Sequence, residues 1–326
     1  MVSPRVAAFG TVDSVNLDAD SRALLASARI GMLALNSGRY PLVNPAAFHF
    51  GGDSVWLTTS RHAVKVALVR RKPLGSFLVD GGSHCVLLEG EAEIYDPRSV
   101  PGVARALMEG PGFYFNLAGY AVKNAAFIGG YLRDLARIPG DWWPQNRALL
   151  RLRVSRAWKL PSVSSPPAGP APVPGVPASV RRALTRVPVA YVCTLVDGVP
   201  LMAPALWTAN GNISIVIGVA GFLGINRRAA GGVAIESHHA YRATRMVGAY
   251  LRGRFSADAD AKGGVAERYG LESEPPGLGL RFEPERATWW RGFSLETAAV
   301  EQPCGERRCP RARGSRRAGS SAGSAA

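Results

Sequence analysis

The chain has 326 residues, 47% of them hydrophobic, with 39 Lys+Arg against 24 Asp+Glu for a formal charge of +15, and only four cysteines. That length suits two domains of ordinary size, and the apolar fraction supplies enough core to exclude disorder over most of the chain. The charge does not single out nucleic acid: six arginines against one glutamate fall between Pro303 and Ala326, and the rest follows no periodic face.

The longest apolar run, Ile213 to Ile225, is about half of what a bilayer crossing needs, so no membrane span is expected. The start at Met1 leads into no sustained apolar stretch of signal-peptide type. Cys85, Cys193, Cys304 and Cys309 are too scattered for a disulfide framework, which points to a reducing cytoplasm. The Cys304/Cys309 pair lacks the further ligands that would complete a zinc set, so no metal site is expected.

In chain order, an extension over 1–19 precedes a short helical candidate, Ser21 to Ala28. A strand, a turn at Gly38 and a second strand follow, ending at Pro45; β-runs are then read at Leu42–Phe50, Ser54–Thr59, Gly75–Val79 and Val86–Ile94. Residues 101–146 form an insertion with no evident counterpart later in the chain. Its apolar residues from Phe113 to Leu135 are broken by few charges and predict a helix pair, either capping the core, closing over a substrate or lying on a membrane surface. A strand at Arg151–Trp158 closes this half. A proline-rich linker, 161–177, cannot continue a helix or a ladder.

The second half, 178–300, repeats the first. A helical candidate at Ser179–Thr185 leads to β-runs at Leu201–Thr208, Asn212–Val219, Gly232–Ser237 and Val247–Phe255, closed by Arg281–Trp289. Gly38/Gly198, Pro41/Pro200 and Pro45/Pro204 are offset by 160, 159 and 159, and Leu88-Glu-Gly-Glu-Ala matches Leu251-Arg-Gly-Arg-Phe at 163. Matches in the same order argue for a duplicated unit. The expected fold is mainly β (α+β): two split barrels in one chain, the first (20–160) carrying the helical insertion. The Arg-rich segment 301–326 reads as a disordered tail.

Chemistry is concentrated between Val55 and Pro73. A strand ends in Thr58, Thr59 and Ser60, a turn carries Arg61 and His62, and Lys65 opens a helix reaching Arg71. Hydroxyls, free N–H groups at a helix start and one ammonium make a phosphate cradle; an ordinary helix N-cap would use the same residues. The equivalent turn in the second half, Ile217 to Gly224, has neither hydroxyl nor cation.

The Gly38-to-Pro45 hairpin, Thr59 with Lys65, the helix ending at Lys72-Pro73 and the strand around Leu88 resemble the pyridoxamine 5'-phosphate oxidase-like split-barrel family of flavin and deazaflavin proteins. The resemblance implies a six-stranded barrel that pairs with another, with the cofactor, FMN or deazaflavin (coenzyme F-420), between them. By position, Thr58, Thr59, Ser60, Arg61 and Lys65 would hold its phosphate. The strand Val43, Asn44, Pro45 and Ala46 would run beside the ring system, with His49 nearby, and Trp207 from the second repeat, with Tyr250, Arg252 and Trp289, would be candidates for a covering wall.

The pattern also departs from the oxidase: Val64 stands where that family has a second basic residue, and the carboxy-terminal Arg/His set for pyridoxal phosphate is missing. Vitamin B6 oxidation is therefore not expected. The resemblance implies a flavin- or deazaflavin-dependent oxidoreductase that exchanges a hydride with a small organic substrate, built as a pseudo-dimer within one chain and leaving further dimerisation open. The alternative is a non-catalytic carrier or sensor of flavin, deazaflavin or haem, the last through His238 and His239. His84 and Cys85 are read as part of a core strand.

Overall fold

A computed structural model describes residues 17–163, 168–237 and 243–300. The segment 301–326 with Cys304 and Cys309, the histidines His238 and His239, and most of the amino-terminal extension lie outside the described residues.

Helix α1 (Ala19–Ser27) is capped by Asp18, whose carboxylate accepts from the Ser21 N–H at 2.7 Å. Six strands follow: β1 (Ile30–Asn36), β2 (Pro41–Gly51), β3 (Ser54–Ser60), β4 (Leu74–Asp80), β5 (His84–Tyr95) and β6 (Arg147–Pro161). Helix α2 (Val64–Arg71) lies between β3 and β4, and α3 (Val100–Met108), α4 (Pro111–Lys123) and α5 (Ala125–Arg133) lie between β5 and β6. The strands close into an antiparallel barrel in the order β1-β2-β3-β6-β5-β4, with β4 returning to β1. The second half comprises α6 (Ala178–Leu184), β7 (Ala190–Val196), β8 (Val199–Asn210), β9 (Asn212–Ile217), β10 (Arg228–Ser237), β11 (Val247–Ala257), α7 (Ala261–Tyr269), β12 (Leu278–Arg291) and β13 (Ser294–Ala299).

The second sheet runs β11-β10-β7-β8-β9-β12-β13, and β11 also pairs with β12, so its first six strands close in the same cyclic order as the first barrel. The offset of 163 read in the sequence has a structural meaning. The β5–β6 register slips between Glu89 and Gly90, and the β11–β12 register slips between Arg252 and Gly253. A Cβ on Gly90 would run into the Arg153 carbonyl, and one on Gly253 into the Glu283 carbonyl. Each barrel therefore turns the same corner at the same glycine.

Period-2 alternation explains why the first-half strands read as unbroken apolar runs. Leu33 and Leu35 of β1, Phe77 and Val79 of β4, and Val86 and Leu88 of β5 fill the first barrel. Met32 and Ala34, Leu78, and Cys85 and Leu87 point the other way, into a core shared with the second half. β8 packs across β4, β1 and β5 there. Polar ties cross the same boundary: Asn36 donates to the Gly198 carbonyl at 2.6 Å, Tyr40 to Glu285 at 2.6 Å and Tyr250 to the Pro41 carbonyl.

Besides the helix pair expected over Phe113–Leu135, which is present as α4 and α5 meeting at Asn124, the insertion holds α3 and three short 3-10 turns. Two expectations need correction. The insertion has a counterpart: α7 occupies the same crossover, between β11 and β12, as the insertion does between β5 and β6. The linker is not a free tether, since Ala171 and Val173 are buried in the shared core and Ala171 N–H donates to the Thr185 carbonyl.

Candidate functional site

The β3–β6 register sets Thr58, Thr59 and Ser60 opposite Leu149, Ala148 and Arg147. The chain then turns through Arg61 and His62, with the Ala63 N–H bonded to the Ser60 carbonyl at 3.0 Å, and enters α2. No side chain caps α2. The hydroxyls before it thus do not serve as an N-cap, and the phosphate reading keeps its donors.

These donors are not equally available. Thr58 Oγ1 accepts from Arg147 Nη2 at 2.7 Å and lies 3.1 Å from the Tyr120 hydroxyl. The Ser60 hydroxyl donates to the Asp141 carbonyl at 2.6 Å. Arg61 is held by the buried Asp96 carboxylate at 3.1 Å. Thr59 Oγ1, in contrast, is buried with no partner, and so is Arg147 Nη1.

Lys65 is only 7% exposed. Burial first, and the Arg147 charge second, pull its ammonium down to about 8. Burial likewise lowers the Arg147 guanidinium from its ordinary value. Two cations, one from α2 and one from β6, therefore interact beside the end of β3, with no carboxylate pairing either among the described residues. Buried charge without a counter-ion is costly, and the arrangement suits an anion with several acceptor oxygens. The terminal phosphate of a flavin mononucleotide has that chemistry.

Arg147 was not singled out in the sequence. It lies at the first position of β6, and nothing local marks it apart from thirty-three other arginines. Only the β3–β6 pairing reveals it. The insertion roofs this turn: the Arg147 guanidinium lies 5.6 Å from the Trp142 ring centroid and 5.8 Å from that of Tyr131. Both rings also meet Phe293, in the β12–β13 turn, at 5.2 Å and 6.1 Å. Thr244 donates to Asp134 at 2.5 Å alongside. Arg147 thus sits beside a wall to which both halves contribute.

The remaining expected positions separate. Val43 is buried in the shared core, and Ala46 in the first barrel. Asn44 and Pro45 are half-buried opposite Leu33 and Met32, and Asn44 Oδ1 has no partner. The His49 ring packs where a Cβ on Gly119 of α4 would fall, and burial, then Lys123, lowers its pKa. Trp207 does not form a covering wall: it is fully buried in the second half, its indole N–H donates to the Val187 carbonyl at 3.0 Å, and Arg268 lies 3.9 Å over its ring. Tyr250 is fully buried, whereas Trp289 is half-buried.

The Ile217–Gly224 turn of the second half is filled instead. Val219, Ala220 and Leu223 enter the shared core, and Phe222 meets Trp158 at 5.4 Å. A separate cleft of about 690 Å³ is lined by Arg39, Arg228, Arg254, Glu283 and Glu285. Glu285 there already pairs with Arg254 at 3.1 Å and Arg39 at 3.5 Å.

Residues 18–116 match the family model described as pyridoxamine 5'-phosphate oxidase. That segment runs from α1 into α4 and contains the turn between Thr58 and Lys65. Solved structures with similarity include an FAD-binding protein from Mesorhizobium loti, 17% identical, the match covering 44% of this chain and 94% of that one, with a TM-score of 0.32. A pyridoxamine 5'-phosphate oxidase-related, FMN binding protein from Nostoc punctiforme is 16% identical over 43% of this chain and 78% of that one, TM-score 0.30. General Stress Protein 26 from Bacillus anthracis is 13% identical over 44% and 92%, TM-score 0.29. No curated protein gives a significant sequence match.

Proposed function

We propose that this chain binds a flavin mononucleotide with its phosphate on Thr59, Lys65 and Arg147, and acts as a flavin-dependent oxidoreductase on a small organic substrate. The observation that carries the reading is the interaction of buried Lys65 with half-buried Arg147, neither paired with a carboxylate among the described residues, at the end of the strand that bears the unpartnered Thr59 hydroxyl. The family match over 18–116 supports it, because that segment contains the turn. The second half, its own turn filled by Phe222, closes the site as the partner barrel of a pseudo-dimer, so one cofactor binds per chain.

When bound, the isoalloxazine supplies the hydride chemistry, and the protein supplies orientation and electrostatics. Lys65 and Arg147 hold the phosphate end, Trp142, Tyr131 and Phe293 exclude water from it, and β2 with Asn44 lies on the side where the ring system would extend. The test is the absorbance spectrum of the full chain after incubation with FMN and removal of the excess. A retained flavin spectrum at one equivalent per chain, lost in Lys65→Ala, is expected. Retention of the flavin by Lys65→Ala would overturn the assignment of the phosphate site, and bound flavin that no donor reduces would favour a carrier.

A further inference from the structure

The insertion carries an unusual surface. Among the described residues, ten of the twelve large apolar side chains that stand exposed lie between Val100 and Trp143. They include Met108 at 88%, Phe115 at 75% and Val122 at 78% exposure, with Leu107, Tyr114 and Leu117 beside them. Between Glu109 and Arg133 the sequence has one charge, Lys123. Its ammonium turns inward, donating to the Leu25 carbonyl at 2.7 Å and lying 3.9 Å from the centroid of the Phe48 ring.

Helices that pack on a barrel need one apolar face; α4 has two. Its inner side contributes Tyr120, bonded to Thr58, and its outer side is left with Tyr114, Phe115, Leu117 and Val122. An uncharged exposed face of this kind marks a contact with another apolar phase.

The fringe of the face identifies the phase. The same segment exposes Arg133 and Arg137, together with Arg98, bonded to Asn146, and Arg105, bonded to the Ile94 carbonyl, against one exposed carboxylate, Asp141. The other acids of the segment are engaged: Glu109 pairs with Arg151 at 2.7 Å, and Asp134 accepts from Thr244. We propose that the outer face of α3–α5 docks on an anionic lipid surface, with its apolar side chains at the headgroup–acyl boundary and its arginines among the headgroups. No helix of the described residues is long and apolar enough to cross a membrane, so the contact is peripheral. A second copy placed symmetrically on this face would set the arginine fringe against itself, whereas a lipid surface supplies the opposite charge.

The test is flotation of the full chain with vesicles of phosphatidylcholine alone and of phosphatidylcholine with phosphatidylglycerol. The double variant Phe115→Asp/Val122→Asp is run alongside; both positions face solvent, and circular dichroism checks its fold. The wild type should float with the phosphatidylglycerol vesicles, less so at high salt, and the variant should lose about tenfold of the bound fraction. Flotation unchanged in the variant would overturn the proposal, because arginines elsewhere would then suffice. Absence of flotation with either vesicle would overturn it too, as would a concentration-dependent dimer that the variant dissociates without any vesicle binding.

Discussion

Burial of Lys65, and after it the charge of Arg147, hold the Lys65 ammonium below the ordinary lysine range, although the two residues come from different elements, α2 and β6. A folded chain keeps a buried cation beside a half-buried one only at a cost, and an anion between them reverses its sign.

That relationship has a pH signature. Lys65 titrates at about 8 in the folded protein against an ordinary 10.5. Between those values the unfolded chain binds a proton that the folded one does not, so the contribution of Lys65 to stability rises with pH across this window. The buried thiols and tyrosines raised above their ordinary values act in the opposite sense, so the rise is read as the difference between the pH profiles of urea denaturation for the flavin-free wild type and Lys65→Met. A rise of the same sign remains in both proteins from Lys123, also held at about 8 by burial and by Arg29. FMN affinity should run the other way and weaken above pH 8 as the ammonium is lost.

The two arginines near the turn should behave differently. Arg147→Ala removes a guanidinium with a free donor and is expected to weaken FMN binding by about tenfold to a hundredfold. Arg61→Ala breaks the ion pair with buried Asp96 and should cost stability while leaving FMN affinity within about threefold. Fluorescence titration of FMN with both variants separates these outcomes.

Gly90→Ala and Gly253→Ala should each destabilise the protein by about 3 kcal/mol, because the new methyl meets a backbone carbonyl that cannot give way. Chemical denaturation of each variant checks this. Similar losses at the two sites would follow from their matching places in the two barrels.

Phe222→Ala should cost about 2 kcal/mol through its lost contact with Trp158. It should leave the FMN stoichiometry of one per chain unchanged, since the second turn serves packing. Thermal denaturation and flavin quantitation measure the two effects.

Much of this was legible in the sequence. The offset between Leu88-Glu-Gly and Leu251-Arg-Gly marked the repeat, and the structure shows that the shared glycine is the register slip of each barrel, where a neighbouring carbonyl leaves no room for a side chain. Lys65 was legible because its turn is contiguous with Thr59. Arg147 was not, because its place beside that turn depends on the pairing of β6 with β3 across the helical insertion. Trp207 was misplaced for a related reason: its position in the repeat is correct, but Arg268 and Val187, which seal it inside the second barrel, come from α7 and the segment before β7.

The phosphate site is tested most directly by comparing the affinities of FMN and riboflavin for the full chain, since the two differ only in the phosphate. The wild type should bind FMN about a hundredfold tighter, and Lys65→Ala should close most of that gap. Equal affinity for the two in the wild type, or binding of neither, would contradict the account.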